Sequence, residues 1–173
     1  MKNYKLQTKS GFTLIELLLY VAISSVMLLI TSLFLQTLLQ SRIKNQTIAE
    51  VEQQGLHIMQ LITQTVRNAE AITAPAPSAS AASLTLDVIP AASDPTVFDL
   101  SSGAIRIQEG AGAVVPLINS RVTASSLAFH NLSHASTPGI VRISFTLTHV
   151  NPGGRNEYNF SKTFYASASL RQP

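Results

Sequence analysis

Residues 12–41 read FTLIELLLYVAISSVMLLITSLFLQTLLQS, a run with one formal charge, Glu16, and neither Pro nor Gly. At about 1.5 Å rise per residue, roughly 20 residues cross a hydrocarbon core of about 30 Å, so the run is long enough to span a membrane as a helix. A removable secretory signal has a shorter apolar region followed by a small-residue cleavage site. Nothing of that kind follows Leu39, and the transmembrane segment is placed at Phe12 to Leu39. Lys2, Lys5 and Lys9 stand on its N-terminal side. The positive-inside rule therefore puts residues 1–11 in the cytoplasm and the C-terminal bulk outside, a single-pass topology.

An acid a few positions inside an apolar span needs a physical reason, because a carboxylate costs about 2.5–3.5 kcal/mol at mid-bilayer and less near the interface. Position alone allows Glu16 to reach the headgroups. Its neighbours point to a more specific role. Lys9-Ser10-Gly11-Phe12-Thr13-Leu14-Ile15-Glu16-Leu17 resembles the prepilin peptidase signature of type IV pilins and type II secretion pseudopilins. It combines a short basic leader, Gly immediately before Phe, Glu four positions past that Phe, and a long apolar helix. The resemblance implies that a separate prepilin peptidase cuts between Gly11 and Phe12 on the cytoplasmic side, releasing residues 1–11, and that the Phe12 amine is methylated to give methylphenylalanine. It also implies that Glu16 neutralises the terminal ammonium of a neighbouring subunit during assembly, so that two charges costly in a bilayer become a pair. Gly11 suits a protease cleft because it brings no side chain, and Phe12 makes the new terminus apolar.

Helical periodicity continues past the span, with Ile48, Val51, Gly55, Ile58, Ile62, Val66 and Ala69 three or four residues apart and Glu50, Glu52, Gln53, Gln60, Gln64 and Arg67 on the other side. An amphipathic helix over 40–70 is expected, ending near Glu70 ahead of a Pro-rich stretch. Joined to the span it makes one helix of roughly 85 Å. Major pilins commonly carry a Pro within the span; this sequence has none, so no such kink is encoded. Residues 71–83, small, Pro-spaced and largely uncharged, read as a linker.

Residues 84–173 are β-patterned, with strand candidates at 84–89, 97–100, 104–108, 113–117, 122–132, 140–150 and 157–170 separated by Gly, Pro, Ser or Asn. Val141, Ile143, Phe145 and Leu147 alternate with polar residues, Asn151-Pro152-Gly153-Gly154 turns the chain, and Tyr158, Phe160, Phe164, Ala166, Ala168 and Leu170 return on one face with Lys162 interrupting. The expected fold is α+β: a long N-terminal helix whose outer half packs on an antiparallel sheet. This is also the pilin fold that the resemblance implies.

The formal charge of +3 resides in the leader. Twelve Lys and Arg less Lys2, Lys5 and Lys9 leave nine, equal to the nine Asp and Glu. The balanced remainder gives no electrostatic argument for nucleic acid as a partner. With no Cys there is neither a disulfide framework nor a thiolate site. His57, His130, His134 and His149 lack a ligand spacing. No nucleophile elbow, phosphate-cradling loop or clustered acids occur, so no catalytic residue, cofactor or metal is assigned and an enzyme is not expected.

Three function classes remain. The first is a structural subunit, a minor pilin or minor pseudopilin that initiates or caps a filament. Val66-Arg67-Asn68-Ala69 and Asn151-Pro152-Gly153-Gly154-Arg155 resemble minor pilins of the PilW kind and the J-type pseudopilin. The absent Cys pair departs from major pilins that close a C-terminal disulfide loop. The second is a tip module binding surfaces, DNA or a secreted protein, for which folding would have to gather Arg106, Arg121 and Arg142. The third is a membrane-anchored enzyme, in which Glu16 would be dispensable. The first is preferred. The resemblance implies as partners other pilins or pseudopilins, the peptidase, an assembly platform and a cytoplasmic ATPase. It implies an inner-membrane precursor that becomes an extracytoplasmic filament. Twitching pili, DNA-uptake (competence) pili and type II secretion pseudopili share the motif, so the residues leave the machine open.

Overall fold

The apolar run and the amphipathic stripe after it form a single helix, α1 (Leu14–Asn68). The computed structural model describes residues 11–89, 91–134 and 138–171; Lys9 and Ser10, with the rest of the leader through residue 10, lie outside them. The chain divides into two units, the first ending at Arg42 and the second beginning at Ile43.

In the first unit every described residue is exposed except half-buried Glu16. Phe12, Leu14 and Ile15 are 75–79 % exposed, and the apolar window of the helix, of mean hydropathy 2.3, buries nothing. A soluble chain rarely leaves contiguous apolar surface on this scale uncovered, so its medium is lipid or other helices.

In the second unit the outer part of α1 buries Thr47, Val51, Gly55, Ile58, Met59, Ile62 and Val66, one face at helical spacing. The strands are β1 (Ala69–Ala74), β2 (Ser80–Ala81), β3 (Leu84–Val88), β4 (Thr96–Ser101), β5 (Ala104–Glu109), β6 (Val115–Pro116), β7 (Val122–Asn131), β8 (Ile140–His149) and β9 (Ser161–Ser169). They form two antiparallel sheets, ordered β1-β3-β4-β5-β6 and β2-β7-β8-β9, where a single sheet was expected. The only proline in these strands, Pro116, is on edge strand β6, where its missing N–H costs no ladder bond.

Three boundaries differ from the sequence reading. The helix ends at Asn68 rather than Glu70 because Ala69 already pairs with Val88. The segment read as a linker, 71–83, carries most of β1 and all of β2. Its small side chains hide a well-bonded backbone: Ser78 N–H donates to the Asn131 carbonyl at 2.8 Å, Asn131 N–H to that of Ala79 at 3.0 Å, and the buried Asn131 amide to that of Pro75 at 2.7 Å. The return strand begins at Ser161, not 157, because residues 156–158 form a 3₁₀ turn. Asn151 closes that loop, accepting the Arg155 N–H at 3.0 Å and donating to its carbonyl at 2.8 Å.

Val51, Ile58, Ile62 and Val66 of α1 share one buried cluster with Leu84, Phe98 and Ile105 from the first sheet and Phe129, Ile143, Phe145 and Leu147 from the second. Each such burial is worth about 1.5–3 kcal/mol. Gly55 marks a close approach: a Cβ there would lie 2.1 Å from Phe164 Cζ on β9. Outside the core, Arg106 donates to both carboxylate oxygens of Asp99, its cross-strand neighbour, at 2.8 and 2.5 Å. Those bonds raise the guanidinium's pKa further above its ordinary value.

Candidate functional site

The start of α1 is built by a side chain the motif contains but does not explain. Thr13 Oγ1 accepts the Glu16 N–H at 3.3 Å, and the Thr13 carbonyl accepts the Leu17 N–H at 3.1 Å. Thr13-Leu14-Ile15-Glu16 has capping-box spacing, so the hydroxyl satisfies one of the N–H groups that a helix leaves open at its first turn. Glu16 sits in that turn, where a negative charge also meets the positive end of the helix dipole.

The Glu16 side chain is held by Tyr20, whose hydroxyl donates to Oε1 at 3.3 Å from one helical turn away. The Phe12 ring packs edge-on against Tyr20, with centroids 6.0 Å apart and planes at 80°. Tyr20 therefore touches both Phe12 and Glu16. The sequence reading passed over it; the i to i+4 interval from Glu16 was the available signal. Gly11 is exposed, and no described residue lies within 4 Å of where a Cβ would project.

Three hydroxyls in the span bond back onto their own helix. Ser25 donates to the Ala22 carbonyl at 2.8 Å, Thr31 to Met27 at 2.7 Å and Thr37 to Phe34 at 2.7 Å. Such back-bonding makes hydroxyls inexpensive in lipid, whereas Glu16 carries formal charge and accepts only one weak bond.

A second polar cluster lies in the second unit. Glu50 accepts from the Asn119 amide at 2.7 Å and faces Arg121 Nη1 at 3.6 Å and His149 Nε2 at 3.7 Å. Lys44 Nζ donates to the carbonyls of Asn159 at 2.7 Å and Asn156 at 3.2 Å, and Lys162 bonds Glu52 at 2.5 Å. These contacts pin the loops around residues 119–121 and 156–162 to the outer helix. Arg106 and Arg142 lie on different sheets, and Arg121 precedes β7, so the three arginines belong to separate settings. Among the described residues no group of three or more His, Cys, Asp or Glu could hold a metal ion.

An exposed apolar helix bearing one acid in its first turn, joined to an α+β unit, defines a helix-anchored chain. Residues 6–32 match the family model described as the prokaryotic N-terminal methylation motif. Motif and fold together are consistent with a type IV pilin-like protein, assembling with other pilins and processed by a prepilin peptidase. Comparison with curated proteins and with solved structures gives no match.

Proposed function

We propose that this chain is a structural subunit of a type IV pilus-like filament, a minor pilin or minor pseudopilin that initiates or caps assembly. Prepilin peptidase cuts between Gly11 and Phe12, the Phe12 amine is methylated, and the apolar part of α1 moves from the cytoplasmic membrane into the filament. The observation that carries this reading is Glu16: a half-buried acid, braced by Tyr20, in the first turn of an otherwise exposed apolar helix. Moving apolar side chains from lipid into an equally apolar helix bundle is nearly balanced, so packing and charge pairing set the outcome. Glu16 then takes the Phe12 ammonium of a neighbouring subunit, and neither charge remains alone in an apolar medium.

The test is a clean deletion in the host with filament retraction disabled, scored by counting surface filaments in electron micrographs. Filaments should disappear, return with the wild-type gene, and stay absent with Glu16→Ala although the variant is still processed. Unchanged filament numbers on deletion would overturn the initiating role.

A further inference from the structure

Asn-x-Ser/Thr triplets, the acceptor pattern for an N-linked glycan, begin at Asn45, Asn131 and Asn159. Transfer of a glycan needs two accessible groups, the asparagine amide and the hydroxyl two residues on, and the fold treats the three triplets unequally. Asn45 is exposed on α1, but its partner Thr47 is 3 % exposed and donates back to the Ile43 carbonyl at 3.0 Å. Asn131 is 1 % exposed, with its amide nitrogen on the Pro75 carbonyl at 2.7 Å and its Oδ1 taken by Ser133. Asn159 and Ser161 are both exposed.

The backbone presents Asn159 outward from a fixed loop. Phe160 N–H donates to the Tyr158 carbonyl at 3.1 Å across Asn159, whose φ of −82° and ψ of 90° lie near those of an inverse γ-turn. Lys44 Nζ holds the Asn159 carbonyl at 2.7 Å, and the Asn156 carbonyl accepts the Asn159 N–H at 3.2 Å. The main chain is thus committed, while the Asn159 side-chain amide bonds to no described residue. The Ser161 hydroxyl meets Thr148 Oγ1 at 2.9 Å and the Leu147 carbonyl at 3.3 Å, contacts that one rotation about χ1 releases. Glu157, two residues before Asn159, adds a carboxylate that a cationic enzyme cleft can hold in place of Arg155, its partner in the folded loop. The corresponding positions before Asn45 and Asn131 are Ile43 and Phe129.

We propose that Asn159 is an N-glycosylation site, modified by a separate transferase outside the cytoplasm. Its Nδ2 attacks the anomeric carbon of an oligosaccharide carried on a lipid diphosphate. The C–N bond forms, the anomeric C–O bond breaks, the lipid diphosphate leaves with the electron pair, and Nδ2 gives one proton to the transferase. The proposal rests on the topology in which the second unit lies outside the cytoplasm. A glycan at Asn159 is bulky and hydrophilic, and it makes the loop around residues 156–160 a sugar-bearing surface of the subunit.

The experiment is peptide mass spectrometry of the full chain isolated from the membranes of its host. Trypsin separates the three triplets, because Lys44 and Arg67, Arg121 and Arg142, and Arg155 and Lys162 bound the peptides 45–67, 122–142 and 156–162. Peptide 156–162 should carry the mass of an oligosaccharide, with fragment ions placing it on Asn159. Asn159→Gln and Ser161→Ala should each abolish the increment, and Ser161→Thr should keep it, which separates loss of the acceptor from misfolding. Glu157→Gln should lower its occupancy, and full occupancy in that variant would remove the acid from the recognised pattern. An unmodified 156–162, sugar on 45–67 or 122–142 in its place, or an increment that survives Asn159→Gln would overturn the proposal. Protease added outside the cytoplasmic membrane of the same cells tells the two failures apart: a digested second unit with an unmodified peptide condemns the site, whereas a protected one condemns the topology.

Discussion

Gly55→Ala tests the packing that holds the second unit to its helix. A Cβ at Gly55 would sit 2.1 Å from Phe164 Cζ and 2.4 and 2.5 Å from its two ε carbons. Carbon atoms in contact prefer about 3.5–4.0 Å, so ring and methyl would interpenetrate by roughly 1.5 Å. Phe164 has little room to retreat: it is 7 % exposed, and its ring stacks on fully buried Phe145 at 5.4 Å. Overpacking of this kind costs about 1–3 kcal/mol, and a cornered aromatic belongs at the upper end. Removing a helical glycine returns about 1 kcal/mol of propensity. The net expectation is a loss of about 1–2 kcal/mol, or about 3–8 °C in Tm. Thermal unfolding of the full chain in micelles, followed by the strand signal in circular dichroism, measures it. Adding Phe164→Leu to the Gly55→Ala chain should recover stability, with a coupling of about 1 kcal/mol or more. An unchanged or raised Tm for Gly55→Ala, or strict additivity with Phe164→Leu, would refute the reasoning.

Gly11→Leu places a branched side chain where no described residue lies within 4 Å, so a processing defect reports the peptidase cleft and not the folded unit; full-length precursor should accumulate on an immunoblot. Thr13→Ala removes the first-turn cap and should loosen the start of α1 by about 1 kcal/mol, read as faster amide exchange at Glu16 in micelles. The Glu157 carboxyl is held below its ordinary value of 4.5, first by its own backbone N–H and then by Arg155 and Lys44, against some desolvation. Because the folded value is the lower one, its stabilisation is complete above the unfolded value and is lost as pH falls below about 4.5 toward the folded value. Glu157→Gln should flatten that acid limb of the unfolding curve, and an unaltered limb would assign it to other carboxylates.

What the sequence displays is periodicity, and the elements set by periodicity are those it announces. The apolar helix, which begins at Leu14, the stripe read from Ile48 to Val66, buried from Val51 onward, and the buried alternation of Val141, Ile143, Phe145 and Leu147 are all present. Residues 69–81 have no such pattern. Their strands exist because β3 and β7 supply partners, and β2 meets β7 across about fifty residues of sequence. Division into two sheets is equally a property of pairing that no single strand encodes. Gly11, Phe12 and Glu16 are legible as a linear motif. Tyr20 and Lys44 are not, since a tyrosine in a span and a lysine just beyond it have ordinary solvated explanations until Glu16 and the Asn159 carbonyl are placed beside them.

The two stretches of α1 meet opposite demands with one backbone. From Ile43 onward the helix spends its polar groups on partners far along the chain: Lys44 on 156 and 159, Glu50 on 119, Glu52 on 162. Before Arg42 the hydroxyls of Ser25, Thr31 and Thr37 turn back onto their own helix, and each makes the surface behave as if apolar. Such a surface packs against lipid and against copies of itself with little preference, so it supplies cohesion without register. Under the proposed function, register then falls to the one formal charge in residues 12–41, whose energy depends on where a counter-charge stands. A Glu16→Gln chain keeps the shape and the Tyr20 contact while removing that dependence. Under the proposed function it should be processed and membrane-inserted like wild type yet fail to enter filaments. Normal incorporation of the amide would transfer the ordering role from charge to helix packing.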